Sequence, residues 1–284
     1  DFLLAVDGRP LAAGANPYEL LADAAGRTVE LTVAADAGGK QPRTVVVEPL
    51  RGEGGLRYRA WVEANRRYVD EKSGGRLGYL HLPDMGEPGL IEFGAYWYPQ
   101  TGREGIVIDE RDNGGGFVGD MIIDRLERVL WSLTIPREGG PGRNPERAFH
   151  GPLAVLVNED TGSNGEFFAE AVKVRGLATV IGMRTWGGAI GIEPHQDLVD
   201  GGTVTPPQFG LYDLHGKWII EGRGVEPDLE VQNQPSRVVA GRDDQLDFAI
   251  EHLLGRLKDE GAQWKLPAVP AYPDKSKPGE DVRK

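Results

Sequence analysis

Two apolar runs, Gly105-Ile106-Val107-Ile108-Asp109 and Pro152-Leu153-Ala154-Val155-Leu156-Val157, constrain this chain more than any other feature. Both are short and lack polar alternation, as strands buried on two faces must be. Each runs into a glycine-bearing turn and then a helical pattern. Asn113-Gly114-Gly115-Gly116 precedes a long stripe of Phe117, Met121, Ile122, Leu126, Val129 and Leu130, and Gly162-Ser163-Asn164-Gly165 precedes Phe167, Phe168, Ala171 and Val172. With strands over Leu77–Leu82 and Val180–Gly182 and a helix near Ile91–Tyr98, strand and helix alternate from Arg76 onward, which predicts an α/β layer architecture. A late helix is expected over Gln245–Arg256.

The first 50 residues have a different texture. Phe2–Val6, Val29–Val33 and Thr44–Glu48 read as strands, and Asn16-Pro17 opens a helical pattern through Tyr18, Leu20, Leu21 and Ala24. Such a strand–helix–strand–strand unit is too small for a whole domain. Residues 57–72 are charged and helical in pattern, and Ser73-Gly74-Gly75 closes them off. The expected division is therefore 1–56, a linker at 57–75, a main domain at 76–262 and a Pro/Lys-rich tail at 263–284. The chain opens at Asp1 directly in strand chemistry, so it is expected to be part of a longer protein.

Charge and composition remove several function classes. There are 32 Lys and Arg against 44 Asp and Glu, a formal net charge of -12, which opposes binding to nucleic acid or anionic membrane. The absence of cysteine excludes disulfides, thiolate metal sites and thiol nucleophiles. No apolar run approaches the roughly 20 residues of a membrane span. Nothing calls for a metal or cofactor.

Gly114-Gly115-Gly116-Phe117-Val118-Gly119 formally satisfies the dinucleotide fingerprint G-x-G-x-x-G. The fingerprint also needs an acidic residue at the end of the next strand, and 132–149 is Pro/Gly/Arg-rich with no strand expected in it. No Lys-Ser or Lys-Thr follows the glycines, so a Walker A loop fails as well. Two readings remain: glycines that turn main-chain N–H groups toward an anion at a helix start, or simply a tight turn. Ser163 lies at a sharp strand-to-helix corner between Gly162 and Asn164-Gly165, as a nucleophile would; it could equally be a helix cap accepting from the Glu166 N–H. A nucleophilic serine needs a base, and the spacing of His81, His150, His195, His215 and His252 pairs none of them with it.

Taken in order, Gly78-Tyr79-Leu80-His81-Leu82-Pro83-Asp84-Met85, the 109–117 run, the 158–165 run, Arg184-Thr185-Trp186-Gly187-Gly188 and Gly224-Val225-Glu226-Pro227-Asp228 resemble the tricorn core protease family over about residues 76–256. Residues 1 to about 50 resemble the later part of the PDZ-like domain ahead of the catalytic domain in that family. The resemblance implies a crotonase/Clp-protease-like αβ-sandwich of class α/β, preceded by a partial PDZ-like domain, and a serine endopeptidase acting on short peptides.

By the same resemblance, Ser163 is the nucleophile, Gly116 and Asn164 supply the oxyanion amides, and Glu221 orients the base. Gly115 and Thr134 are implied at the substrate, Thr134 standing where an acidic specificity residue is expected. The related C-terminal processing peptidases use a Ser–Lys pair, but Gly188 occupies the lysine position. In the tricorn family the base is a histidine ahead of the PDZ-like segment, outside this chain, so the chain alone is expected to be inactive. Asn164 replaces the usual Asp, keeping the N–H and dropping a charge. The family further implies peptide substrates, no cofactor, a homo-oligomer, specifically a hexamer, and a cytoplasmic location, with export left open. The alternative is a non-catalytic peptide-binding scaffold of the same fold.

Overall fold

The computed structural model describes residues 1–192, 196–259 and 267–271. The chain divides into two compact units, Asp1–Trp61 and the residues from Val62 onward.

The first unit is a four-stranded antiparallel sheet of β1 (Phe2–Val6), β2 (Arg9–Pro10), β3 (Val29–Ala34) and β4 (Arg43–Val47), in the order β2-β1-β3-β4. Helix α1 (Pro17–Leu20) starts where expected: the Asn16 carboxamide oxygen accepts the Tyr18 N–H at 3.0 Å, and Pro17 fills the first turn. It is a single turn, shorter than the apolar spacing to Ala24 suggests, because Leu21 caps it and Asp23 turns back with φ 55°. Ala24 still reaches the small core, beside Val6 and Val29.

Helix α2 (Gly54–Ser73) carries the chain into the second unit. There the elements follow as β5 (Leu77–His81), α3 (Glu87–Gln100), β6 (Gly105–Asp109), α4 (Gly119–Leu126), β7 (Ser132–Thr134), β8 (Gly142–Asn144), β9 (Leu153–Val157), α5 (Asn164–Val174) and β10 (Thr179–Gly182). After these come β11 (Gln196–Asp197), β12 (Thr203–Val204), β13 (Leu229–Glu230), α6 (Pro235–Val239) and α7 (Asp244–Asp259).

Five strands form one parallel sheet in the order β13-β10-β9-β6-β5. Alternate residues of each strand point to opposite faces. Ile106, Ile108, Leu153, Val155 and Val157 join one core with Phe93 and Trp97 of α3, Ile122 and Ile123 of α4, and Phe168 and Val172 of α5. The intervening Val107, Ala154 and Leu156 are equally buried, on the face where α7 packs against β6, β9 and β10. With helices on both faces, the α/β layering expected from the strand–helix alternation is present.

Two elements depart from expectation. Helix α4 stops at Leu126; Phe117, Met121 and Val129 are exposed, and only Ile122, Ile123 and Leu126 face the core. The 132–149 stretch, expected to hold no strand, contains the β7–β8 hairpin, paired Leu133 to Arg143. Of the tail, 267–271 are described, without helix or strand.

The register aligns His81 with Asp109, Asp109 with Leu156, and Leu156 with Ile181. The carboxyl ends of four strands therefore lie side by side. The loops leaving them, 82–86, 110–118, 158–163 and 183–188, gather at one edge of the sheet, where open parallel sheets bind ligands.

Candidate active site

Ser163 is the N-cap residue of α5 and has φ 52° and ψ -124°. This is a costly backbone conformation for a residue with a Cβ, on the order of 1–3 kcal/mol, at a strand-to-helix turn of the general kind from which a side chain can project clear of a sheet. The strain is held from several sides. Gly162 donates to the Asn113 carbonyl at 2.8 Å. The Thr161 hydroxyl donates to the Glu110 carbonyl at 3.1 Å, and the Asp112 and Asn158 side chains close the loop bases together, with Asn158 Nδ2 donating to Asp112 Oδ1 at 2.7 Å.

The glycine turn lies directly against this corner. A Cβ added to Gly115 would stand 2.5 Å from Ser163 Cβ and 2.8 Å from the Asn164 nitrogen. Buried Asn113 shapes the turn, accepting the Gly115 N–H at 2.9 Å and donating to the Leu82 carbonyl at 3.1 Å. Met85 pins the far side: its N–H donates to Gly115, and its carbonyl accepts from Phe117 and Val118 at 2.7 and 2.9 Å. Gly116, at φ 148°, passes so close that a Cβ would lie 2.1 Å from the Met85 oxygen. The Asn164 carboxamide oxygen accepts the Gly119 N–H at 2.9 Å, binding the start of α4 to the start of α5. Among the described residues, the main-chain N–H groups of Gly116 and Asn164 donate to no protein acceptor. Both free amides belong to this corner, Asn164 directly after Ser163 and Gly116 directly after Gly115, while the Ser163 side chain accepts the Glu166 N–H in a capping box.

Buried Glu166 organises the floor and was missed in the sequence as anything beyond a capping partner. Its carboxylate accepts four hydrogen bonds, from the Ser163 N–H at 3.0 Å, the Thr185 hydroxyl at 2.6 Å, and the N–H groups of Gly187 and Gly188 at 2.6 and 2.9 Å. Glu221 is exposed, and its Oε2 accepts the next two amides, Ala189 at 2.7 Å and Ile190 at 2.9 Å. Its Oε1 has no protein partner among the described residues.

Two further acids stand below. Burial would push the Asp109 carboxyl up, but Arg111, bonded to it at 2.6 Å and 2.9 Å, holds it below the usual aspartate range. Arg111 also reaches Asp243 and Gln245, tying the loop after β6 to the start of α7. Glu110 has neither oxygen hydrogen-bonded; burial first, then the charges of Asp109 and Glu166, push its carboxyl well above the ordinary glutamate range.

Thr134 lies elsewhere, in β7. It is exposed and borders a groove of about 480 Å³ between 130–135 and Pro267–Pro270, whose walls include no residue of the Ser163 corner. No hydrogen bond joins Ser163 to a described histidine. His81 faces the Arg111 carbonyl and His252 faces Thr179, each through Nε2; His195 lies outside the described residues. The described residues contain no cluster suited to a metal ion and no helix long and apolar enough to cross a membrane.

The chain resembles known proteins in sequence and fold. Residues 76–231 match the model of peptidase family S41, and residues 1–52 match the tricorn protease PDZ domain. The chain is 42% identical over 263 residues to tricorn protease homolog 1 of Streptomyces coelicolor, covering 93% of this chain and 25% of that protein. It is 38% identical over 254 residues to tricorn protease of Thermoplasma acidophilum, covering 89% and 24%. A crystal structure of tricorn protease superposes with a TM-score of 0.83 at 37% identity, over 90% of this chain and 25% of the other. The chain thus spans about a quarter of the length of these relatives. With its strained serine corner, its glycine turn and its matching PDZ unit, the chain belongs to peptidase family S41, on the tricorn protease branch.

Proposed function

We propose that the chain carries the acyl-transfer site of a tricorn-type serine endopeptidase acting on short peptides. The observation that supports this reading is a serine held at φ 52° at a corner where the main-chain N–H groups of Gly116 and Asn164 have no protein acceptor among the described residues. Ser163 Oγ attacks the peptide carbonyl carbon as a histidine takes its proton. The carbonyl oxygen becomes an oxyanion between the two N–H groups, each worth about 2.7–4 kcal/mol of barrier. The histidine returns the proton to the leaving amine, and water then releases the acyl group from Ser163.

The base is a histidine other than those described here. Glu221 is suited to orient it: two amides fix Oε2, leaving Oε1 to accept an imidazole N–H. Gly188 offers no side chain for a Ser–Lys pair. A silent peptide-binding scaffold is the less favoured reading, since binding alone gives no reason to maintain strain at Ser163. Gly115 borders the reacting carbonyl as part of the peptide channel, whereas Thr134 would contact substrate only through its separate groove. As functional segments we propose 1–56, 57–75, 76–262 and 263–284, although the boundary between the compact units falls at Trp61 within α2. We further propose hexameric assembly and a cytoplasmic location, which light scattering and fractionation test.

Hydrolysis of internally quenched peptides by the intact protein tests the reading. Cleavage abolished by Ser163→Ala supports it, and cleavage that survives the substitution refutes it.

A further inference from the structure

Trp186 is a large apolar side chain left 67% exposed beside the nucleophile, yet everything around it is fixed. The Trp186 main-chain N–H donates to the Thr161 carbonyl at 3.0 Å, two residues before Ser163. The residues flanking it, Thr185, Gly187 and Gly188, all donate to Glu166, the same carboxylate that accepts the Ser163 N–H.

The indole itself lies on two glycines. A Cβ added to Gly162 would stand 2.9 Å from its Cε3, and one added to Gly188 would stand 2.2 Å from its Cζ3. Any side chain at position 188 would therefore compete with the indole for its seat. The six-membered ring of the indole thus lies against the backbone next to Ser163, while most of the residue stays exposed. An exposed aromatic ring next to the serine is well suited to contact aliphatic or aromatic groups.

We propose that the Trp186 indole is the wall of a substrate subsite beside Ser163 that takes an uncharged apolar side chain, of the leucine or phenylalanine kind, close to the scissile bond. The specificity of this site then comes from a tryptophan seated on Gly162 and Gly188, not from a charged residue. This inference rests on the peptidase reading, and the test separates the two.

The intact protein is assayed on internally quenched alanine peptides in which one residue on either side of the scissile bond is Gly, Leu, Phe, Lys or Glu. At one position, Leu and Phe should exceed Gly in kcat/KM by about tenfold or more, the discrimination expected of an apolar pocket. Trp186→Ala should reduce that ratio below about twofold, and Trp186→Phe should largely restore it, showing that the fold is not at fault. In parallel, calorimetry measures Kd for the same peptides on Ser163→Ala and on Ser163→Ala with Trp186→Ala. Serine-dependent cleavage whose ratio is unmoved by Trp186→Ala overturns the subsite and leaves the peptidase reading standing. A binding preference that needs the indole, without serine-dependent cleavage, sustains the subsite and refutes the peptidase reading. Preference for Lys or Glu at every position, or none at any, overturns the subsite.

Discussion

Glu166 and Glu221 divide one run of four consecutive main-chain N–H groups between them, Gly187 and Gly188 going to Glu166, and Ala189 and Ile190 to Glu221. The acid that accepts the Ser163 N–H and the acid proposed to orient the base are thereby referenced to one stretch of backbone. Movement of that stretch would displace both, so the 185–190 segment acts as the frame of the site.

Glu166→Gln tests the frame. An amide can accept on one atom only, so at least one of the four donors is left buried and unpaired, at about 1–3 kcal/mol per donor. Urea denaturation should show destabilisation on the order of 3 kcal/mol, and kcat should fall more than KM rises. Full stability with unchanged kcat would show that these four bonds hold nothing of consequence.

Glu221→Gln should leave stability nearly unchanged, because the carboxamide oxygen can still accept from Ala189 and Ile190. Its NH2 would then face the imidazole, favouring the wrong tautomer, and kcat should drop by about 100-fold or more with little change in KM. Wild-type kcat in this variant would make the carboxylate a bystander.

The glycine turn gives a steric prediction. Gly115 has φ 98°, and a Cβ there would strike Ser163 Cβ and the Asn164 nitrogen, neither of which can swing away. Gly115→Ala should fold, judged by circular dichroism, yet lose fluorophosphonate labelling of Ser163 and at least about 100-fold in kcat, the scale of one lost oxyanion donor.

Much of this was legible in the sequence. The doubly buried strands β6 and β9 show as unbroken apolar runs, and the Gly116, Ser163 and Asn164 positions follow from motifs that resemble the tricorn family. The four bonds of Glu166 were not legible, because they join residues 3 to 22 positions apart that only the parallel sheet brings together. Glu110 was equally hidden, since a carboxylate in a strand-to-loop junction reads as solvated. The apolar stripe through Val129 overstated α4, because the chain leaves the helix after Leu126 and enters the β7–β8 hairpin.

Glu110 gives the pH dependence. Its folded pKa lies above the unfolded value, so the folded state binds the extra proton. The associated stability is complete below the unfolded pKa, near 4.5, and is lost as pH rises from there toward the folded pKa. Glu110→Leu should therefore stabilise the protein increasingly from about pH 4.5 upward, by up to about 1.4 kcal/mol per pH unit until the folded pKa is reached. Urea midpoints at pH 4, 6 and 8 measure this, and a gain independent of pH would contradict an unpaired buried acid at this position.

The most direct measurement is a crystal structure of the intact protein after reaction with a peptidyl phosphonate. The phosphorus should be bonded to Ser163 Oγ, with one phosphonyl oxygen about 2.7–3.1 Å from both the Gly116 and the Asn164 nitrogens. An adduct on another residue, or a phosphonyl oxygen turned away from both amides, would contradict the assignment of this corner as the acyl-transfer site.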